Sequence, residues 1–219
     1  MKHKRSRVLK FVGTFLLLSI IIAGLTLNFL GWLPKRYYSS DYFNVPSLKS
    51  EVDSDQDGVD DYTDILLSAR KYVSTRPAYR STYEAGGYPP KGIGVCTDVI
   101  IYALQGAGYD LKSLMDEDIL SHTNLYPGVN RPDPNIDFRR VRNMTIYFDR
   151  FIEKLTNDLN QLDQWQPGDI VIFPGHIAIV SSRRNVKGYP WIIHHSPGRN
   201  YEEDAIERYE ILAHYRWKK

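Results

Sequence analysis

The first pattern along the chain is a long apolar run near the N-terminus. Residues 11–33 hold 23 consecutive positions without a charge, enough to cross a bilayer core of about 30 Å at roughly 1.5 Å per helical residue. Residues 1–10 carry five basic side chains and no acidic one, and basic flanks stay in the cytoplasm. We therefore predict a cytoplasmic flank over 1–10, a single transmembrane signal anchor over 11–33 and an extracytoplasmic remainder. A cleaved signal peptide is the alternative, although its apolar part is usually shorter.

The pattern changes after the anchor. Residues 34–52 show no sustained periodicity and predict a linker. Apolar spacings of three and four residues then predict a short helix over 65–73, a second helix starting at Val95 and stopped by Gly106 and Gly108, and a surface helix over 144–159. Apolar runs and two-residue alternation predict strands over 170–173, 176–182 and 190–195.

Composition and charge limit the classes of function. The 219 residues, 42% hydrophobic and 25% charged, suit one globular domain plus the N-terminal appendage. The five N-terminal positive charges account for the formal net charge of +2, and without them the remainder carries −3. No basic run follows the anchor, which argues against nucleic-acid binding. The single cysteine excludes an internal disulfide, so the core or a bound metal must stabilise the domain.

Residues 53–64 have the spacing of a calcium-binding loop. Carboxylates occupy loop positions 1, 3, 5, 9 and 12, glycine occupies position 6, and the carbonyl at position 7 adds another oxygen. The loop resembles those of EF-hands and dockerin modules, except that position 12 is Asp rather than the usual Glu. We predict structural Ca²⁺ held by Asp53, Asp55, Asp57, Val59, Asp61 and Asp64. The alternative is an acidic turn capping the following helix.

The cysteine and three later histidines are candidates for catalysis. Cys96 lies in the first turn of a predicted helix, where free N–H groups and the helix dipole are expected to lower the thiol pKa. His176 heads a strand with the small residue Ala178 on the same face, which leaves room for the cysteine helix. His194 and His195 point to opposite faces, so at most one can orient the His176 imidazole. A buried inert cysteine and a zinc site are the alternatives.

Several segments together carry a family resemblance: residues 94–99, 135–141, 165–171, 176–180 and 213–216. They resemble the DUF1287 family, which is similar to the NlpC/P60 and CHAP branches of the papain-like cysteine peptidases and amidases. The resemblance spans roughly residues 64–217 and implies an α+β, papain-like domain over 65–219, with the nucleophile helix packed on an antiparallel sheet. One departure is the order Val-Cys-Thr-Asp around Cys96, where NlpC/P60 members have Asp-Cys-Ser-Gly.

The same resemblance implies a triad of Cys96 as nucleophile, His176 as base and His194 as the polar third member, with His195 as the alternative third member. The thiol would attack an amide carbonyl and no cofactor would take part in catalysis. Candidate oxyanion or substrate-binding residues are Tyr88, Asp98, Asp137, Arg139 and Arg140. For Asp98 we prefer capping of the helix, and for Asp137, Arg139 and Arg140 the alternative is a solvated turn with internal salt bridges.

An extracytoplasmic cysteine amidase or peptidase suggests peptidoglycan, or another extracytoplasmic amide, as the substrate. The expected partners are this substrate and the lipid bilayer around residues 11–33, without nucleic acid. Two alternatives remain open: a non-catalytic wall-binding or scaffold module, and an acyltransferase or transglutaminase-like enzyme on the same fold.

Overall fold

A computed structural model describes the backbone of residues 2–29 and 36–218, and side chains within 11–26, 36–198 and 201–218. The chain divides into two compact units, Met1–Arg36 and Tyr37–Lys219. The first unit contains one helix, α1 (Lys2–Phe29). Among the described residues, no helix is long and apolar enough for the membrane span predicted over 11–33. Residues 30–33 of that prediction lie outside the described residues.

The second unit combines four helices of eleven to fourteen residues with eight strands. The helices are α2 (Asp61–Ser74), α3 (Cys96–Gly106), α4 (Leu111–Ser121) and α5 (Val141–Phe151). The strands are β1 (Ala78–Tyr79), β2 (Ile93–Gly94), β3 (Glu153–Lys154), β4 (Ile170–Phe173), β5 (His176–Arg184), β6 (Pro190–Ser196), β7 (Arg199–Glu203) and β8 (Ala213–Arg216).

Six strands form one antiparallel sheet in the order β3-β8-β4-β5-β6-β7. β1 and β2 form a separate parallel pair. The prediction of an α+β domain with an antiparallel sheet is confirmed.

Two hydrophobic clusters lie on opposite faces of the sheet, because neighbouring strand residues point to opposite sides. Ile177, Ile179 and Ile193 pack in the larger cluster, which contains the buried faces of α2 to α5. Ala178 and Val180 pack in the smaller cluster with Trp165, Val171, Phe173, Ile192, Ala205 and Ile206. Helix α3 therefore packs on the isoleucine face of β5, not on the Ala178 face that the sequence suggested.

Much of the stretch predicted as a linker is packed in the domain. Tyr38 bridges to Arg184 through backbone hydrogen bonds of 2.9 Å in both directions. Arg184 also donates to the buried Ser40 hydroxyl at 3.0 Å, and Val45 is buried. The compact unit therefore begins near Tyr37 rather than after residue 52.

Candidate active site

Cys96 is the first residue of α3, and a buried ion pair fixes this end of the helix. Asp98 Oδ2 accepts the Val95 N–H at 2.7 Å, which caps the helix. The Arg139 guanidinium donates to both Asp98 oxygens, at 3.0 and 2.8 Å, and both side chains are only 1% exposed. Thr97 Oγ1 donates to the Arg139 carbonyl at 3.0 Å. Asp98 thus has the capping role preferred for it from the sequence, and Arg139 forms the internal ion pair given as its alternative to substrate binding.

The thiol of Cys96 lies in an apolar setting and is 5% exposed. Backbone N–H groups of Ile177 and Thr97 face the sulfur and favour the thiolate, yet burial outweighs them and raises the pKa of Cys96 to about 11. The prediction that the helix terminus lowers this pKa is therefore wrong, because desolvation exceeds the effect of the helix end. The resting group is a neutral thiol.

A chain of hydrogen bonds connects His176 to an acidic residue on another strand. His176 Nε2 and His194 Nδ1 are 2.9 Å apart, and His194 Nε2 lies 3.0 Å from Glu203 Oε1. The Arg208 guanidinium donates to Glu203 Oε2 at 2.8 Å. Although burial opposes ionisation, hydrogen bonds and charges from His194 and Arg208 bring the pKa of Glu203 to about 2. Glu203 is therefore a carboxylate at neutral pH.

The hydrogen bonds from His176 through His194 to Glu203 determine which imidazole nitrogen atoms carry protons. A carboxylate only accepts hydrogen bonds, so His194 Nε2 must carry a proton. In a neutral His194, Nδ1 then accepts from His176 Nε2–H. Burial and the neighbouring histidines lower the pKa of His176 to about 4, so its imidazole is neutral near pH 7. With His194 in this neutral form, the free lone pair of His176 is on Nδ1, the nitrogen available to act as a base.

The thiol and the imidazole approach the same strand end from different sides. His176 pairs with Phe173 across the β4–β5 hairpin, and its ring stacks on Phe173 with centroids 6.1 Å apart. Cys96 packs in the opposite cluster, and its sulfur meets the backbone N–H of Ile177, the residue after His176. The hydrogen bonds formed within the described residues do not include one between this sulfur and the His176 ring.

His195 lies on the Cys96 side of the sheet and does not contact His176 by a hydrogen bond within the described part of the chain. Its Nδ1 is 3.0 Å from the Tyr72 hydroxyl, and its ring meets Tyr79 edge-on with centroids 5.2 Å apart. Burial raises the pKa of Tyr79, and the Cys96 thiolate charge adds to this rise, which places Tyr79 near the sulfur. The structure thus brings His194, not His195, to His176.

The remaining substrate-binding candidates lie elsewhere. Tyr88 packs edge-on against Phe138, with centroids 5.7 Å apart, and lines a separate cavity of ≈ 220 Å³ that does not include Cys96 or His176. Asp137 is buried, accepts the Asp133 N–H at 2.7 Å and pairs with Arg140 at 3.4 Å. The side chain of Arg140 is 52% exposed. This cluster stabilises its own turn.

The predicted calcium loop brings three carboxylates together. One oxygen from each of Asp53, Asp55 and Asp57 lies within 4.8 Å of the others. Asp64 is 7% exposed, and among the described residues its Oδ2 has no hydrogen-bond partner. Burial and the charges of the surrounding aspartates raise the pKa of Asp64 to about 6.

Two other predicted ligands of the loop, Asp61 and Val59, also form hydrogen bonds within the protein. Asp61 Oδ1 accepts the Ser54 N–H at 2.8 Å, and Oδ2 accepts the Tyr109 hydroxyl, so this side chain is committed to hydrogen bonds within the protein. The Val59 N–H donates to Asp57 Oδ1 at 2.8 Å. The clustered aspartates also accept backbone N–H groups of the loop, Asp53 from Gly58 at 2.9 Å and Asp55 from Asp57 at 3.3 Å.

Sequence reasoning missed Glu203, Tyr72 and Tyr79. Glu203 pairs with Ile192 across β6–β7, so it lies on the face of β6 that carries His194. A strand predicted over 199–203 would have revealed this placement by alternation. Tyr72 and Tyr79 reach the site only through the packing of α2 and β1, for which the sequence gives no local signal.

Comparisons with known proteins identify a matching family and a similar protein. Residues 66–217 match the Domain of unknown function (DUF1287). Uncharacterized protein YijF of Escherichia coli (strain K12) is 36% identical over 149 residues, which cover 64% of this chain and 72% of that protein. No solved structure matches the chain significantly.

Proposed function

The chain belongs to the DUF1287 family, and we propose that it is a cysteine amidase or peptidase of papain-like type, similar to NlpC/P60 enzymes. The observation that carries the proposal is the chain His176–His194–Glu203, which leaves a lone pair on His176 Nδ1 one residue from the backbone N–H that meets the Cys96 sulfur. Nucleophilic catalysis requires a base held in one tautomer within reach of a thiol, and here the two groups come to the same end of β5 from opposite faces of the sheet.

The proposed reaction begins from a neutral pair. His176 Nδ1 takes the thiol proton of Cys96 as the sulfur attacks an amide carbonyl carbon, and the same proton passes to the leaving amine. His176 then deprotonates a water molecule that hydrolyses the thioester. Because the sulfur and the imidazole lie on opposite faces of the sheet, the proposed proton transfer requires a rearrangement at the N-terminal end of β5 on substrate binding. The N–H groups facing the sulfur are suited to a developing oxyanion.

Location and chemistry together indicate the substrate. The basic flank and the apolar run support an extracytoplasmic domain with the flank in the cytoplasm. The amide polymer available there is peptidoglycan, and we propose an amide of its peptide part as the target. The acyltransferase alternative uses the same thioester with an amine in place of water.

One observation favours a second candidate function, a non-catalytic wall-binding module. Cys96 is 5% exposed and packs in the main hydrophobic cluster, as inert structural cysteines do. In that case the thiol serves packing, and replacing Cys96 by the similarly small alanine leaves the cellular role intact.

Incubation with purified peptidoglycan distinguishes these functions. Fragments released by the full chain are identified by mass spectrometry and compared with those from Cys96→Ala and His176→Ala. His122→Ala is the matched control, because the His122 side chain is 48% exposed and pairs only locally with Asp118. Hydrolysis lost in the first two variants and kept in the control supports the enzyme. Hydrolysis surviving Cys96→Ala rules out thiol catalysis, and fragments that have gained an amine indicate acyl transfer.

We also propose that the loop over residues 53–64 binds structural Ca²⁺. The unpartnered, buried Asp64 oxygen beside three clustered aspartates supports this, because such charges repel one another without a cation. Ca²⁺ at 100 times its Kd stabilises a folded protein by about 2.7 kcal/mol, so chelation should lower the Tm by several degrees. Asp64→Asn should abolish this response, whereas the exposed control Glu51→Gln should retain it. An identical Tm with Ca²⁺ and with chelator contradicts the site.

A further inference from the structure

A wide cleft in the described part of the second unit opens next to residues on the Cys96 side of the sheet. It has a volume of ≈ 1120 Å³ and lies between the end of α2, β1, residues 37–41, the C-terminal part of β5 and the β6–β7 hairpin. His195, on the Cys96 side of the sheet, and Tyr79, whose ring meets His195 edge-on, form part of its lining. A peptide bound in this cleft would therefore extend towards the Cys96 thiol.

Three arginines line the cleft, and two of them share one carboxylate. Arg70 pairs with Glu202 at 2.6 Å and donates to the Ser182 hydroxyl at 2.8 Å. Arg183 pairs with the other Glu202 oxygen at 3.4 Å and lies over the ring of Tyr37, 4.4 Å from its centroid. These contacts hold both guanidinium groups in fixed positions on the wall.

Arg76 differs from the other two arginines. It lines the cleft, is exposed, and forms no ion pair or side-chain hydrogen bond with the described residues. Asp41 and Glu202 are the acidic residues of the lining, so three arginines leave the cleft with a surplus positive charge. The surplus guanidinium is available to an external anion.

The backbone of Arg76 is held in an unfavourable conformation. It follows Thr75, the C-terminal cap of α2, and has a φ of +50°. Glycine is strongly preferred at this position after a helix, because a β-carbon is strained in the left-handed region. Strain retained at a residue in a cleft points to a functional use of its side chain.

We propose that Arg76 binds a carboxylate of the peptide substrate, with the peptide lying in the cleft and its scissile amide directed towards Tyr79 and Cys96. This inference rests on the proposed function and names its substrate class: acidic peptides with a free carboxylate. A guanidinium suits this role because its fork matches both oxygens of a carboxylate. Glu202 contributes by fixing Arg70 and Arg183, which leaves Arg76 as the specificity-determining residue.

Binding can be measured without catalysis in the full chain carrying Cys96→Ala. The ligands are the stem tetrapeptide of peptidoglycan and the same peptide with its carboxylates amidated, compared by isothermal titration calorimetry. We expect the free acid to bind about tenfold or more tightly, as a charged hydrogen bond permits. Arg76→Gln should remove this preference. Arg80→Gln is the matched control, because Arg80 is exposed four residues further on and does not line the cleft.

The outcomes separate this inference from the proposed function. Equal binding of the two peptides, binding of neither, or a preference that survives Arg76→Gln would overturn the role of Arg76. A preference lost only in Arg76→Gln supports it, even if no hydrolysis is found, in which case the catalytic proposal alone fails. Arg76→Gly provides a second check, since it should raise the Tm by relieving strain while abolishing the preference, which a merely structural residue would not do.

Discussion

The partly buried imidazole of His176 should make the stability of the protein depend on pH. Its folded-state pKa is about 4, against 6.5 in an exposed histidine, because burial and the neighbouring His194 and His195 disfavour the charged ring. Between these two values the unfolded chain binds a proton that the folded protein does not. The free energy of unfolding therefore falls as the pH falls from about 6.5 towards about 4.

The magnitude follows from the difference between the two pKa values. At about 1.36 kcal/mol per pKa unit, the full effect on the free energy of unfolding is about 3 kcal/mol, and most of it is lost by pH 4.5. The variant His176→Gln keeps a polar side chain that does not titrate in this range. Its stability should therefore decrease by about 2.5 kcal/mol less than that of the parent between pH 7.5 and 4.5.

Urea unfolding of the parent protein and His176→Gln at both pH values measures this difference. Contributions from titrating groups that do not interact with His176 cancel in the comparison, and equal m-values show that the unfolded state has not changed. Glu203 adds a separate effect: its pKa is lowered from 4.5 to about 2 in the folded protein, so its ionised form stabilises the protein less as the pH falls through this range. If the two proteins showed the same pH dependence, the lowered pKa of His176 would be refuted, and with it the tautomer assigned to this residue.

Four further predictions concern the site and its support. The alkylation rate of Cys96 by iodoacetamide should rise with pH towards a midpoint of about 11; a plateau already reached near pH 7 would show a thiolate at rest. Glu203→Gln should lower kcat by about 10²- to 10⁴-fold, because it removes the carboxylate that fixes the proton positions in the hydrogen bonds His176–His194–Glu203. An unchanged kcat in a folded variant would contradict this role of Glu203. Arg139→Ala should reduce the free energy of unfolding by about 3–5 kcal/mol in urea titrations, since it leaves Asp98 charged and buried; a loss below about 1 kcal/mol would mean that water reaches the carboxylate. Arg76→Gly should raise the unfolding free energy by roughly 0.5–1 kcal/mol, and a decrease would show that the left-handed backbone is not strained.

Local sequence patterns predicted the structure correctly where the feature depends on a single helix or strand. The spacing from Val95 predicted α3 with Cys96 in its first turn, and two-residue alternation sent His194 and His195 to opposite faces. The helix predicted over 144–159 is shorter in the structure: α5 ends at Phe151, and residues 153–154 form an edge strand paired with β8. An apolar period cannot show where pairing with a distant strand becomes more favourable than another helical turn.

By itself, the sequence determined the order of the cysteine helix and the histidine strands, the acidic loop and the family, because these depend on neighbouring residues and their spacing. Only the tertiary structure decided that Glu203 meets His194, that Asp98 and Arg139 form a buried pair, and that burial gives Cys96 a high pKa. Contacts between distant strands and the removal of water from a side chain depend on how the whole chain packs, and no local pattern carries that information.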